Sequence, residues 1–464
     1  MPLRGLRHSR AATNRARSME TSKRQRVDDQ MEVEEPAAVV VVKPTGDLQQ
    51  EFSPELLRLY YDRIFPAELM CKWLGYGTQN EKSAADNLLC RREFSFTTGD
   101  DVYIRYLSYD TADAFRKDLC KKLPYKIDIG AVFTADPRDH KKFKLFEPVQ
   151  REFLIDIDLT DYEFLDCDVK KIETCDRCWP IMALAARVLN QILVKDFGFE
   201  HLLFVYSGRR GIHCWGCDTR ARVMSNDVRS AVADYLAPKL NAATGRLAIA
   251  QPMHPSLRRA YDEHLEPFFK ESILGCESEG GFGELDKEAG QLRLLDMLGD
   301  DDVKTRFLES WSRGSGAAQS GLEKWSNLVK HVHGKKNRAL SSVLDEIVFT
   351  YTFPRLDVNV SKGMNHLLKS PWCCHPKTGR VCVPIDAATA DKFEPWTVPT
   401  LRTISEDMDK VKLGSNAAPG KEIYDTGLAP YVKYMDHFLA RLGDAARAEK
   451  VREINTNKQS SLDF

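Results

Sequence analysis

The sequence predicts an α/β (α+β) fold: a mixed-sheet domain interrupted by an inserted α-helical subdomain. Three observations carry this. Short runs rich in β-branched and aromatic residues, bounded by turn residues, punctuate 92–217. Apolar residues then recur at helical spacing from 226 to about 344. Strand character returns over 347–360. The chain has 464 residues and 43% hydrophobic content, room for two or three domains with a real core.

The elements follow in order. Residues 54–74 carry Leu56, Leu57, Tyr60, Tyr61, Ile64 and Leu69 at helical spacing. Segments 92–96 and 102–106 flank Gly99-Asp100 and read as a β-hairpin. A short helix is expected over 111–122, strands over 126–134 and 152–160, and an apolar helix over 180–197. Strands over 202–206 and 211–217 enclose a basic turn. A final helix is expected from about 430 to 453. The resulting organisation is an extension at 1–50, an α/β part at 51–222, helices at 223–345, a second α/β part with the last helix at 346–454, and a polar tail at 455–464. Few apolar side chains occur in the extension or the tail, so both are expected to be disordered.

Charge and cysteine usage exclude several classes. With 67 Lys+Arg against 68 Asp+Glu the net charge is -1, so blanket electrostatic coating of a polyanion is excluded. No apolar run approaches the roughly 18 residues of a membrane span. The 12 cysteines sit in a large chain without a secretory signal, which argues for reduced thiols rather than a disulfide framework. Residues 1–26 hold eight basic residues and one acid, a balance of +7, and residues 28–35 hold five acids. The cluster Lys23-Arg24-Gln25-Arg26 fits a nuclear localisation signal, and the Arg-rich start also fits a transit peptide.

The most informative stretch is Phe153-Leu154-Ile155-Asp156-Ile157-Asp158-Leu159. Residues i and i+2 share a face of a strand, so Asp156 and Asp158 point the same way inside an apolar run. Two like charges there need compensation, and oxygen-only ligation suits Mg²⁺ or Mn²⁺. A solvated strand end is the plain alternative. Asp357, in Arg355-Leu356-Asp357-Val358-Asn359-Val360, adds a third acid in an apolar setting. Three carboxylates suffice for two metal ions of the kind that catalyse nucleotidyl transfer.

Two basic turns accompany the acids. Ser207-Gly208-Arg209-Arg210-Gly211-Ile212-His213 brackets two arginines with glycines, a phosphate-binding composition. Ser361-Lys362-Gly363, His366, Lys369 and His375-Pro376-Lys377 follow Asp357. Each turn alone is commonly a solvated surface; acids for metal plus bases for phosphate are what a polymerase-type centre needs. The stretch Gly414–Lys421 imitates a P-loop, but its glycine spacing is wrong and Glu422 replaces Ser/Thr, so it is set aside. Cys175-Asp176-Arg177-Cys178 is a zinc half-site, and Cys167 lies eight residues earlier. Asp166, Asp168 or a distant His are candidates for the fourth ligand. Cys214 and Cys217 sit on a strand, where their thiols diverge.

Taken together, Arg92-Glu93-Phe94-Ser95-Phe96, Tyr103-Ile104-Arg105-Tyr106, Lys126-Ile127-Asp128-Ile129-Gly130, Asp156-Ile157-Asp158, Ser207 through Trp215, Pro354-Arg355-Leu356-Asp357 and Val360 through Arg380 resemble the small catalytic subunit of eukaryotic and archaeal DNA primases. The resemblance covers about 54–440. It implies a primase-type catalytic domain with a zinc-binding motif at about 166–178. It implies that Asp156, Asp158 and Asp357 are catalytic and bind Mg²⁺ or Mn²⁺. It implies nucleotide binding by Ser207, Arg209, Arg210, His213, Lys369 and His375, with Glu93, Arg105 and Asp128 near the nucleotide. Structural Zn²⁺ is carried over onto Cys167, Cys175 and Cys178. The family's motif usually begins with adjacent cysteines, whereas Asp168 follows Cys167 here and becomes the candidate fourth ligand. The implied reaction is RNA primer synthesis from ribonucleoside triphosphates on single-stranded DNA, in the nucleus. The implied partners are a large iron–sulfur subunit and the DNA polymerase alpha complex. Extension of existing strands by a primase-like polymerase, or nucleic-acid binding without catalysis, are the alternatives.

Overall fold

Short strands, some with one apolar and one polar face and others buried throughout, build two antiparallel sheets. The computed structural model describes residues 51–78, 83, 86–162, 164–165, 175–335, 337–410 and 420–460, the side chains of 450 and 453–460 excepted. The extension at 1–50, Cys167, Asp168, most of the P-loop-like stretch and residues 461–464 lie outside the described residues. The strands are β1 Arg92–Thr97, β2 Tyr103–Leu107, β3 Lys126–Phe133, β4 Pro148–Gln150, β5 Phe153–Asp158, β6 Leu202–Tyr206, β7 Gly211–Gly216, β8 Leu240–Asn241, β9 Arg246–Leu247, β10 Leu368–Lys369 and β11 Pro384–Ile385. The first sheet runs β10-β3-β1-β2, with β4 paired to β3; the second runs β11-β6-β7-β5; β8 and β9 form a separate ribbon.

The apolar face of β1 explains the first sheet's position. Phe94 and Phe96 point into the core, where Phe94 meets Phe115 of helix Ala112–Lys122 with ring centroids 4.9 Å apart. That helix starts where the Thr111 side chain accepts the Ala114 amide, as a capping threonine does. Glu93, Ser95 and Thr97 lie on the other face by strand alternation. Helix Trp179–Lys195 is apolar on nearly every side and is correspondingly buried.

Two expectations need correction. The stretch 347–360 is not a strand: helix Arg338–Thr352 runs through its first half, and helix Val358–Lys362 occupies its end. Asn337 caps the longer helix by accepting the Ala339 and Leu340 amides. Leu340, Leu344, Ile347, Val348 and Tyr351 then form one buried stripe, and packing overrides the β-preference of the Ile-Val-Phe-Thr-Tyr run. The residue before Pro354, Phe353, is extended, as the proline ring requires. The last helix also exceeds its expected end, running Ala429–Ser460 into the polar tail. No Gly or Pro after Gly443 interrupts it. Everything described belongs to one compact unit, Thr45–Phe464. Among the described residues no helix is long and apolar enough to cross a membrane.

One fully buried carboxylate joins the layers. Glu152, immediately before β5, accepts two hydrogen bonds from Arg92 of β1 (2.8 and 2.9 Å), one from Arg151 (3.0 Å) and one from the Tyr76 hydroxyl (2.6 Å). Arg92 and Arg151 also donate to the Gly130 carbonyl of β3, at 3.1 and 3.2 Å. Arg229, from helix Asn226–Leu236, donates to the Glu152 carbonyl at 3.0 Å. Burial works against the Glu152 charge, but Arg92 and Arg151 outweigh it and hold the carboxyl far below its ordinary range.

Replacing Glu152 by Gln leaves three buried arginines short of their counter-charge, so we expect a loss of roughly 3–5 kcal/mol, read as a lower urea midpoint. The acid limb has a defined sign. Unfolded Glu152 protonates near 4.5 while the folded carboxyl resists, so its stabilisation is complete above that pH and declines as pH falls toward the folded value. The Gln variant should lose this part of the acid slope in pH-dependent denaturation.

Candidate active site

The polar faces of the two sheets enclose an open cleft of about 480 Å³, inside the range of roughly 300–1,000 Å³ usual for small-ligand sites. Thr97, Tyr103, Lys126 and Asp128 form one wall, from the first sheet. Asp156, Asp158, Arg209, Arg210 and His213 form the other, from β5, β7 and the loop before β7. Ser207, Lys369 and His375 complete it.

Register places the acids. β5 pairs with β7 so that Asp156 faces His213 and Asp158 faces Gly211. Gly211 is required there: a Cβ would stand 2.5 Å from the Ile157 carbonyl oxygen. The other edge of β5 is covered by the segment after Pro354. The Asp357 amide donates to the Asp156 carbonyl at 3.0 Å, and the Ser361 hydroxyl donates to the Leu154 carbonyl at 2.5 Å. These bonds satisfy an edge that would otherwise be open. They bring Asp357 beside Asp156, although Asp357 caps a short helix rather than standing in a strand.

The acids are only partly shielded, with side-chain exposures of 34% for Asp156 and 38% for Asp158, and Asp357 is exposed. Asp161 is a fourth carboxylate of the group. Burial, then the charges of Asp158, Asp156 and Asp357, push it above the ordinary carboxylate range. Such concentrated negative potential, with oxygen donors on a solvent-facing rim, fits Mg²⁺ or Mn²⁺. Among the described residues no three His, Cys, Asp or Glu side chains stand in closed metal-holding geometry. The acids are otherwise engaged. Arg210 straddles Asp158 with its Nε 3.3 Å from Oδ1 and its Nη2 3.4 Å from Oδ2. His213 Nε2 lies 3.5 Å from Asp156 Oδ1, and Asp357 accepts the Asn359 amide.

The basic turn is held by its own backbone. Ser207 N–H donates to the Gly211 carbonyl at 3.0 Å, and Gly211 N–H donates to the Ser207 hydroxyl at 2.9 Å. Gly208 sits at φ +85°, and a Cβ there would meet the His375 Cβ at 2.8 Å. The second basic segment therefore packs directly on the first. Thr378 donates to the Gly208 carbonyl at 2.7 Å, and Lys369 Nζ donates to the Ser207 carbonyl at 2.8 Å. Burial opposes the Lys369 charge, but the surrounding Cys382, Cys373 and Asp128 leave its pKa above the ordinary value. β10 pairs Lys369 with Asp128 of β3, whose own pKa is raised by burial and partly restored by Lys369 and Lys126.

The two histidines are neutral donors. Burial, then Lys369 and Arg209, pushes His375 down to about 2. Its Nδ1 accepts the Lys377 amide at 3.2 Å, which leaves the proton on Nε2. Burial also lowers His213, against the pull of Asp156.

Sequence reasoning and geometry part at three places. Glu93 and Arg105 do not line the cleft; they form a bidentate pair of 2.9 and 3.1 Å further along the same sheet face. Tyr103 and Lys126, two residues before Arg105 and Asp128 on their strands, take wall positions that sequence reasoning passed over. Strand alternation was the available signal. Asp161, three residues past Asp158, falls outside the i, i+2 spacing that marks the strand pair, so spacing alone does not single it out. Of the zinc candidates, Cys175 and Cys178 converge to 3.1 Å between sulfurs, while Cys214 and Cys217 are buried in the core.

Comparison with known proteins is consistent across the chain. The sequence profile of the family described as DNA primase small subunit matches residues 155–387. The chain is 39% identical over 377 residues to the DNA primase small subunit of Drosophila melanogaster, covering 77% of this chain and 83% of that protein. It is 33% identical to the DNA primase small subunit of Schizosaccharomyces pombe, covering 90% and 95%. The same-named protein of Saccharomyces cerevisiae is 30% identical, with coverage of 88% and 97%.

Histidine ¹⁵N shifts should show His375 neutral, with the proton on Nε2, down to pH 5 in the absence of nucleotide. The unfolded chain protonates His213 and His375 near 6.5, and the folded chain does not. Both therefore lower stability as pH falls below about 6.5, and His375→Asn should reduce that slope in pH-dependent denaturation.

Proposed function

We infer the reaction from one premise: this chain belongs to the DNA primase small subunit family. It is the catalytic subunit of a DNA primase, an enzyme that makes short RNA primers on a DNA template at the start of replication. The observation that supports a mechanism is the division of the cleft: carboxylates at the β5 end, cationic and neutral donors along the 207–213 loop and the 369–377 segment.

In our reading the reaction is in-line nucleotidyl transfer. Asp156, Asp158 and Asp357 would hold two Mg²⁺ or Mn²⁺ ions, which when bound activate a 3′-hydroxyl and offset the charge of departing pyrophosphate. Arg209 and Arg210 offer planar, bidentate donors to the triphosphate. Lys369 adds a point charge whose position is fixed by the Ser207 carbonyl. His375 Nε2–H and His213 donate without adding charge, so the wall binds phosphate while the like-charge repulsion among its cations stays limited. The Arg210–Asp158 pair marks the boundary between the metal side and the phosphate side. Cys167, Cys175 and Cys178, with Asp168 as the fourth candidate, would hold one structural Zn²⁺. A small subunit implies a larger partner in a primase complex. We further propose that this partner is the iron–sulfur subunit, joined to DNA polymerase alpha, and that the complex works in the nucleus.

On single-stranded poly-dT with ATP, assayed with the large subunit present, Asp156→Asn/Asp158→Asn should lower primer synthesis by roughly a thousandfold. Retained activity would remove the assignment. Incorporation only on primed templates would favour strand extension over priming. Lys369→Met should raise the KM for ATP more than it lowers kcat. Metal analysis should find about one zinc per chain, and Cys175→Ser should release it.

A further inference from the structure

The chain bends sharply where β2 leaves the cleft. Phe96 pairs with Ile104 and Phe94 with Leu107, so β2 carries one residue more than β1 between these pairs. This bulge falls at Arg105–Tyr106, and Tyr106 has φ +60°, uncommon for a bulky residue. Buried Glu93 holds it in place. It accepts both Arg105 hydrogen bonds and the Tyr106 amide, the latter at 3.3 Å.

The bulge turns Tyr106 onto His140, with ring centroids 4.0 Å apart and planes 20° from parallel. The Arg105 guanidinium lies 5.0 Å from the Tyr106 centroid. His140 itself is fixed by a 2.9 Å hydrogen bond from Nδ1 to the Pro137 carbonyl. Next to this stack the chain exposes Lys141, Lys142, Phe143, Lys144 and Leu145, with Phe143 at 48% and Leu145 at 64% exposure. Arg138 anchors the segment's base through Asp136 and Asp110. From 138 to 146 the chain holds four Lys/Arg and one Asp; Arg138 pairs with Asp136 and Asp110 and Lys142 with Asp139 at 2.7 Å, so the strip offers a lysine cluster of modest net charge.

Three lysines around one solvent-facing aromatic ring, Phe143, beside a built aromatic stack, match single-stranded nucleic acid, whose bases stack and whose phosphates pair with ammonium groups. A duplex presents phosphates but no free base faces, and would leave Phe143 unused. The strip is continuous with the cleft, because Tyr103 on the cleft wall and Arg105 lie on the same strand.

We propose that the strip from Arg105 and Tyr106 through His140 to Leu145 binds single-stranded template DNA outside the catalytic cleft. Lys141, Lys142 and Lys144 contact phosphates, and Phe143 stacks on a base. The proposal rests on the primase reading, which supplies the need for a template. Its test uses the full chain with fluorescent oligo-dT, read by anisotropy across a salt series without nucleotide or metal. Lys141→Glu/Lys142→Glu/Lys144→Glu should weaken binding at low salt by at least about tenfold. It should also reduce the slope of log K against log salt by about 2, at about 0.7 per phosphate contact. Phe143→Ala should weaken binding about tenfold with the slope unchanged. Circular dichroism and the KM for ATP at saturating template should match the parent. Unchanged oligo-dT affinity and slope in the triple variant would overturn the proposal, as would weakened large-subunit association with oligo-dT binding intact. An inactive parent whose oligo-dT binding still falls on charge reversal would defeat the primase reading and leave this surface standing.

Discussion

The buried Glu152 carboxylate is the constraint on which the two-sheet architecture depends. Three arginines surround it, so the cluster carries two uncompensated positive charges in the core. Backbone carbonyls supply the remaining balance: Arg151 donates to Ile129 and His366, and Arg229 to Ala221, Arg222 and Met224. These carbonyls come from β3, from the segment after β7 and from the segment leading to β10. A charge paired this way is costly to disrupt, and it allows few alternative arrangements of the elements that meet on it. Since Glu152 immediately precedes β5, the clamp fixes the strand whose register decides everything in the cleft. A slip of one residue would present Ile155 and Ile157 where Asp156 and Asp158 now stand.

The cleft depends on that register at both edges of β5. On one edge β7 sets His213 opposite Asp156; on the other the Asp357 amide and Ser361 hydroxyl close the strand. Asp357 is thus brought by backbone bonds to the strand that carries Asp156 and Asp158, leaving the three side chains toward solvent. The cationic wall is assembled in the same manner. Gly208 permits close approach of the His375 segment, and the Ser207 carbonyl receives Lys369. Main-chain geometry places the acids and the bases, which meet where Arg210 lies against Asp158 and His213 against Asp156.

Much of this was legible in the sequence because strands advertise themselves locally. Asp156-Ile157-Asp158 declares its shared face by spacing alone, and Ser207–His213 declares a tight turn by its glycines. The stretch 347–360 misled because Ile-Val-Phe-Thr-Tyr favours a strand intrinsically, while its fate was set by the Asn337 cap and by packing partners far away in sequence. The position of Glu93 was equally illegible. A glutamate two residues from Ser95 on a strand has no local mark that separates a cleft acid from a partner for Arg105.

That partnership gives Glu93 a physical role in the sheet itself. The carboxylate is fully buried and would be costly alone; Arg105 and the Tyr106 amide together satisfy both of its oxygens. In return it sustains a backbone conformation that Tyr106 would otherwise avoid. Because Ser95, on the same strand face, lies 3.5 Å from Asp128 and 3.3 Å from the Tyr103 hydroxyl, β1 carries two polar clusters side by side. One opens into the cleft, and the other bends the edge of the sheet. The substitution most able to separate them is Glu93→Gln, which keeps volume and one acceptor oxygen but cannot pair with the full Arg105 fork. Relaxation of the bulge would move Tyr106 and His140 while leaving Ser95 and Asp128 under the control of β3. The acid on β1 therefore governs the shape of the sheet edge, and the register of β5 governs which acids face the cleft.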